Sequence, residues 1–216
     1  MRKIKLSTWP REKHFRYFNT FDYPHFSLCS QVDVTNLLSY IKRNKFSLTL
    51  SIVYLLARVA NELVDFRYRI RGDEVVEHEI VHPSFTVLGD NDLFSFCSVA
   101  YSKGISEFVT EGSRQIALIK ENPSLQDEPG HDDLLFMTAI PWVSFTGFMH
   151  PIHTHPIDSI PRFAWGKIYS EANKLKLPLS VQVHHGLMDG LHVGRYFAQL
   201  QDCINRIEDL QTQPTA

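Results

Sequence analysis

Two histidines stand side by side in the run His184-His185-Gly186-Leu187-Met188-Asp189-Gly190. Imidazole changes protonation near neutral pH and is the side chain most often used as a general acid or base. Strand parity separates the two. Leu175, Leu177, Leu179, Val181, Val183 and His185 share one face of a predicted strand, and Lys176, Pro178, Ser180, Gln182 and His184 share the other. His185 therefore ends an apolar row, where partial desolvation favours the neutral ring that a base must present. His184 ends a polar row and reads as supporting structure. Asp189 precedes a predicted helix and has two open readings. It is an N-cap accepting a backbone hydrogen bond, or it anchors the loop that carries His185 through a salt bridge.

Other residues able to do chemistry are sparse. Cys29, Cys97 and Cys203 are far apart and odd in number, with no CxxC pair and no disulfide framework. A reducing, cytoplasmic setting is the simplest reading. His150, His153 and His155 have a spacing that can converge on zinc. No cysteine or carboxylate lies among them, and histidines beside prolines are common at surfaces, so no metal site is expected. There is no Gly-x-Ser-x-Gly nucleophile.

The elements that must position these groups follow from periodicity. The 216 residues are 44% hydrophobic, enough for one core, and read as a single domain over 1–216. A formal charge of -2 argues against nucleic-acid binding. No apolar run approaches the ~18 residues that span a bilayer, and no signal-peptide core follows the basic start Met1-Arg2-Lys3. Helices are predicted from about Pro10 to Asn19, Thr35 to Arg43, Ser47 or Thr49 to Val64, Ile105 to Ile119 and Gly190 to Asp209. In the last, Val193, Phe197, Leu200, Ile204 and Ile207 form one packed stripe. Strands are predicted from Phe26 to Val32, Glu74 to Glu79, Ser84 to Leu88, Leu93 to Val99 and Leu134 to Ala139. Further strands run from Val143 to Met149, Arg162 to Glu171 and Leu175 to His184, with a hairpin turn at Arg71-Gly72-Asp73. Glu121 to Asp133 reads as one surface loop. Strands and helices do not alternate, so the expected class is α+β: two layers, a mixed sheet with helices packed on one face.

Several blocks occur in order: Trp9-Pro10-Arg11-Glu12-Lys13-His14-Phe15, His82-Pro83-Ser84-Phe85-Thr86-Val87, Pro141-Trp142-Val143-Ser144-Phe145-Thr146 and Pro178-Leu179-Ser180-Val181-Gln182-Val183-His184-His185. With His192-Val193-Gly194-Arg195, they resemble the type A chloramphenicol acetyltransferase family from about Trp9 to Cys203. The resemblance implies a homotrimer with active sites at subunit interfaces. It implies acetyl transfer from acetyl-CoA to the 3-hydroxyl of chloramphenicol through a ternary complex, which confers antibiotic resistance. Acetyl-CoA is then a co-substrate, with no permanently bound cofactor.

The resemblance also assigns roles. The second histidine of the family's pair is the base, which places that role on His185. Arg11 and Asp189 match a buried salt bridge that shapes the active-site loop. Thr138, in Met137-Thr138-Ala139-Ile140-Pro141-Trp142, stands where the family has a serine whose hydroxyl stabilises the oxyanion. Tyr17, Phe18, Phe26 and Thr86 fall at the acceptor pocket, and Lys167, Trp142 and Tyr169 at the CoA site. Some positions depart from the pattern. Ala164 replaces a threonine, Ile168 an aromatic residue, and Asp22 and Pro24 more apolar or smaller residues; the loop from Glu121 to Asp133 is shorter. A second reading therefore keeps the chemistry and changes the acceptor to another small hydroxyl compound. A third, a non-catalytic trimeric ligand- or metal-binding protein, sits poorly with the retained His185, Asp189, Arg11 and Thr138.

Overall fold

In chain order the computed structural model has β1 (Arg2–Lys3), α1 (Glu12–Phe18), β2 (His25–Asp33), α2 (Thr35–Asn44), α3 (Leu48–Glu62), β3 (Tyr68–Arg71) and β4 (Glu74–Glu77). It continues with β5 (His82–Leu88), β6 (Phe94–Ser98), α4 (Ile105–Glu121), β7 (Leu134–Ile140), β8 (Arg162–Gly166), β9 (Tyr169–Glu171), β10 (Lys174–His184) and α5 (Gly190–Asn205). The structure describes residues 1–125 and 130–211.

Local sequence features shape several of the helices. The Ser47 hydroxyl accepts from the Leu50 N–H and starts α3, whose largely apolar sequence leaves it buried on nearly every side. Lys45 ends α2 in the left-handed region, with φ 56°. A Cβ at Gly112 of α4 would lie 2.6 Å from Leu50 Cδ2, so a glycine there lets α4 approach α3 closely. Gly72, with φ +61°, makes the predicted turn between β3 and β4.

The main sheet has the order β2-β10-β8-β7-β5-β6, with β9 also paired to β10. The β8–β7 and β7–β5 pairs are parallel, and the others on this path are antiparallel. The mixed sheet of the α+β expectation is thus present, with a separate small sheet β1-β4-β3. Leu177, Leu179, Val181 and Val183 of β10 join Phe163, Met137 and Phe85 in one core with the buried faces of α2, α3, α4 and α5. All these strand residues lie on one side of the sheet, the helix side.

Two expectations are corrected. The segment 143–149 is irregular rather than a strand. Its backbone polar groups are satisfied elsewhere: Val143 O accepts from the Lys167 N–H at 2.9 Å, and Phe148 O accepts from the Ser27 and Ser180 hydroxyls. That diversion at Lys167 also splits the single predicted strand over 162–171 into β8 and β9. Of the predicted surface loop, residues 126–129 lie outside the described residues.

Candidate active site

The ladder between β10 and β2 ends at the pair His184 and His25. Beyond it the chain turns, with Leu187 and Met188 N–H groups both donating to His184 O. His185 is held by its backbone on two sides. Its N–H donates to Pro24 O at 2.7 Å, and its carbonyl accepts from Arg11 Nη2 at 3.1 Å. The next N–H, of Gly186, donates to His184 Nδ1 at 3.0 Å. The His185 ring stacks on Phe18, with centroids 4.0 Å apart and planes 7° apart, and Phe26 lies 4.8 Å away. Tyr17 meets the edge of Phe18 at 5.2 Å.

Asp189 makes both kinds of contact. One oxygen receives Arg11 Nη1 at 2.9 Å, while the other accepts from the Leu191 N–H and meets His192 Nδ1 at 2.8 Å, capping α5. Arg11 therefore ties the start of α5 to the backbone of His185. The pair is less buried than expected, since the Asp189 side chain is 34% exposed. Burial pushes the Asp189 carboxyl up, but hydrogen bonds from Arg11 and His192 outweigh it and hold the carboxyl well below the usual carboxylate range.

Asparagine at 189 would keep a capping oxygen and remove the charge. A depressed carboxyl contributes stability fully above its unfolded value, about 3.9, and loses that contribution as pH falls toward the folded value. Urea unfolding should find the wild type more stable than Asp189→Asn at neutral pH, with the gap closing below about pH 4. A gap independent of pH would mean that the charge does not contribute.

The proposed oxyanion hydroxyl is elsewhere. Ser180 pairs with Ala164, and Ala164 with Thr138. Thr138 thus sits two strands across from Ser180 and five residues short of His185. At about 3.3 Å per residue and about 4.8 Å per strand, the offset is roughly 17 Å along the sheet and roughly 10 Å across it. Thr86 is next to Thr138, one step beyond the Phe85–Met137 pair. Trp142, Lys167 and Tyr169 follow the ends of β7 and β8, at the end of the sheet away from His185. The chain therefore gathers its site residues into two groups. Arg11, Tyr17, Phe18, Phe26, His185 and Asp189 form one; Thr138, Thr86, Trp142, Lys167 and Tyr169 lie toward the other side.

Thr138 lies on the sheet face opposite the helices. By register, Phe136, Thr86, Phe96 and Phe94 share that face. Phe94 is 49% exposed and neighbouring Leu93 67%, so this apolar area is left uncovered by the chain itself. Sequence spacing does not identify the Pro24 carbonyl as a holder of the turn around His185, because that contact depends on how β2 and β10 pair, whereas the His184 ring bonds locally to Gly186 two residues on. His150 is largely buried beside Gln182, whereas His153 and His155 are exposed. Among the described residues, no group of three His, Cys, Asp or Glu side chains is arranged to hold a metal ion. A cleft of about 590 Å³ lies beside α1, lined by Phe21, Asp22, Ile70, Arg71, His155 and Ile157 among others, but it does not include His185 or Thr138.

The fold is shared with solved acetyltransferases. A solved chloramphenicol acetyltransferase superposes with a TM-score of 0.83 at 24% identity, covering 94% of this chain and 100% of the other. The dihydrolipoamide acetyltransferase of Azotobacter vinelandii superposes with a TM-score of 0.69 at 16% identity, covering 92% of this chain and 88% of the other. The chain belongs to the chloramphenicol acetyltransferase family, whose model matches residues 1–201. A Proteus mirabilis chloramphenicol acetyltransferase is 31% identical over 199 residues, 92% of each protein. Chloramphenicol acetyltransferase 3 of Escherichia coli is 30% identical over 205 residues, 94% of this chain and 96% of the other. The chain is accordingly an acyltransferase. Among the described residues, no helix is long and apolar enough to cross a membrane.

Proposed function

We propose that the chain transfers acetyl from acetyl-CoA to the 3-hydroxyl of chloramphenicol in a ternary complex, with His185 as general base. The supporting observation is the way His185 is held: its backbone is fixed by Pro24 and Arg11, and its ring is stacked on Phe18. In the step, a ring nitrogen of His185 takes the hydroxyl proton as the oxygen attacks the thioester carbonyl. The oxyanion that forms accepts a hydrogen bond from the Thr138 hydroxyl. Collapse of the tetrahedral species expels the CoA thiolate, which receives the proton from the imidazolium, so no acetyl group is carried on the protein.

Thr138 and His185 of one chain are too far apart to meet one reacting carbonyl. We infer a homotrimer in which His185 of one copy faces Thr138 of the next, with the uncovered face around Phe94 and Phe96 contributing to the contact. Trp142, Lys167 and Tyr169 lie on the Thr138 side and are suited to the CoA arm and its phosphates. A cytoplasmic location follows from the need for acetyl-CoA and accords with three free cysteines.

A coupled assay of CoA thiol release with chloramphenicol tests the substrate. Turnover with a Michaelis constant in the range of antibiotic concentrations is expected. A constant far above that range would favour the second reading, acetylation of another small hydroxyl compound. Two departures favour that alternative: Asp22 stands where the resemblance has a more apolar or smaller residue, and Ala164 is fully buried with no hydroxyl to offer.

A further inference from the structure

Behind the base, on the sheet face away from the helices, His184 and His25 meet edge to face with ring centroids 5.0 Å apart. Their tautomers follow from their partners. His184 Nδ1 accepts from the Gly186 N–H, so the neutral ring carries its proton on Nε2. His25 Nε2 lies 2.7 Å from the carbonyl oxygen of Asp158, so it donates and leaves a lone pair on Nδ1. Burial pushes both rings down, His184 to about 3, with repulsion from His25 and His185 adding to the shift there. Both rings are therefore neutral at working pH. Yet His184 Nε2 and His25 Nδ1 are buried with no hydrogen-bond partner among the described residues. One is a donor and the other an acceptor, and buried polar groups are rarely left unmatched.

We propose that His25 and His184 form a binding site for one hydroxyl oxygen, which accepts from His184 Nε2–H and donates to His25 Nδ1. The donor–acceptor pattern excludes other classes. A metal ion needs lone pairs on both rings, and His184 offers an N–H. A carboxylate accepts only and would leave His25 unmatched; an ammonium donates only and would leave His184 unmatched. A hydroxyl oxygen does both. Two sources have this chemistry: an ordered water, or a second hydroxyl of the acyl acceptor. The latter rests on the acetyl-transfer reading.

A crystal structure of the whole chain without acceptor should show an oxygen within hydrogen-bond distance of both ring nitrogens if the occupant is water. Kinetics separate the sources, using chloramphenicol, which carries a second hydroxyl, and its 1-deoxy analogue, which lacks it. His25→Phe removes the acceptor nitrogen; His25→Gln keeps an acceptor and a donor. If the acceptor's hydroxyl fills the site, His25→Phe raises KM about tenfold for chloramphenicol alone, the effect of one lost hydrogen bond. If water fills it, kcat/KM falls by a similar factor for both acceptors. In either case His25→Gln recovers most of the loss. No oxygen at the two rings with or without chloramphenicol, or a His25→Phe protein that folds and turns over both acceptors like wild type, would overturn the proposal. Absence of any chloramphenicol turnover would sink chloramphenicol as the acceptor while leaving the crystallographic test decisive for the water-filled site.

Discussion

Replacement of His185 by alanine is expected to lower acetyl transfer by about 10²–10⁴-fold, the usual contribution of a positioned general base. The fold should survive. The bonds that hold this turn, from the His185 N–H to Pro24 O and from Arg11 to His185 O, use backbone atoms that alanine retains. What is lost is the ring beside Phe18 and Phe26, and with it the proposed base for the proton of an alkanol. Water is a poor substitute at neutral pH, so the loss should fall mainly on kcat. CoA release measured beside circular dichroism separates a chemical effect from unfolding. Undiminished turnover by a folded His185→Ala protein would refute the mechanism.

Thr138→Ala is expected to cost about 10²–10³-fold in kcat, as does removal of a single oxyanion donor elsewhere. The strand around it should be unaffected, because β7 is held to β8 through backbone register that a side-chain truncation does not touch. Thr138→Ser keeps the hydroxyl and sheds the methyl that restricts the threonine rotamer. It should therefore retain activity within a small factor of wild type. An alanine variant as fast as wild type would remove Thr138 from the chemistry, and a serine variant as slow as alanine would point to packing of the methyl rather than hydrogen bonding.

Much of the site was legible in the sequence because strand parity and local motifs carry it. The apolar row of Leu177, Leu179, Val181 and Val183 is the helix-facing side of β10, as its alternation predicts. His184 belongs to the other row, yet it is only 1% exposed, because the irregular segment 144–160 covers that face. Alternation alone identifies two faces; it does not say whether a loop will cover the second. The same limit explains the false strand at 143–149, where serine hydroxyls and the Lys167 N–H take the bonds a ladder would have made. The Arg11–Asp189 contact spans nearly the whole chain and was reachable only through resemblance. Its dual use of the carboxylate, as ion-pair partner and as cap of α5, requires the fold.

The separation of Thr138 from His185 is another property of sheet register, invisible in a linear reading, and under the proposed mechanism it makes assembly part of the chemistry. Co-refolding equal amounts of His185→Ala and Thr138→Ala chains tests this directly. If each site pairs the base of one copy with the hydroxyl of the next, about a quarter of the interfaces combine an intact His185 with an intact Thr138. The mixture should then regain about a quarter of wild-type activity, from two parents that each have almost none. If one chain supplied both groups, every site would lack one of them, and a mixture no more active than its parents would contradict the account.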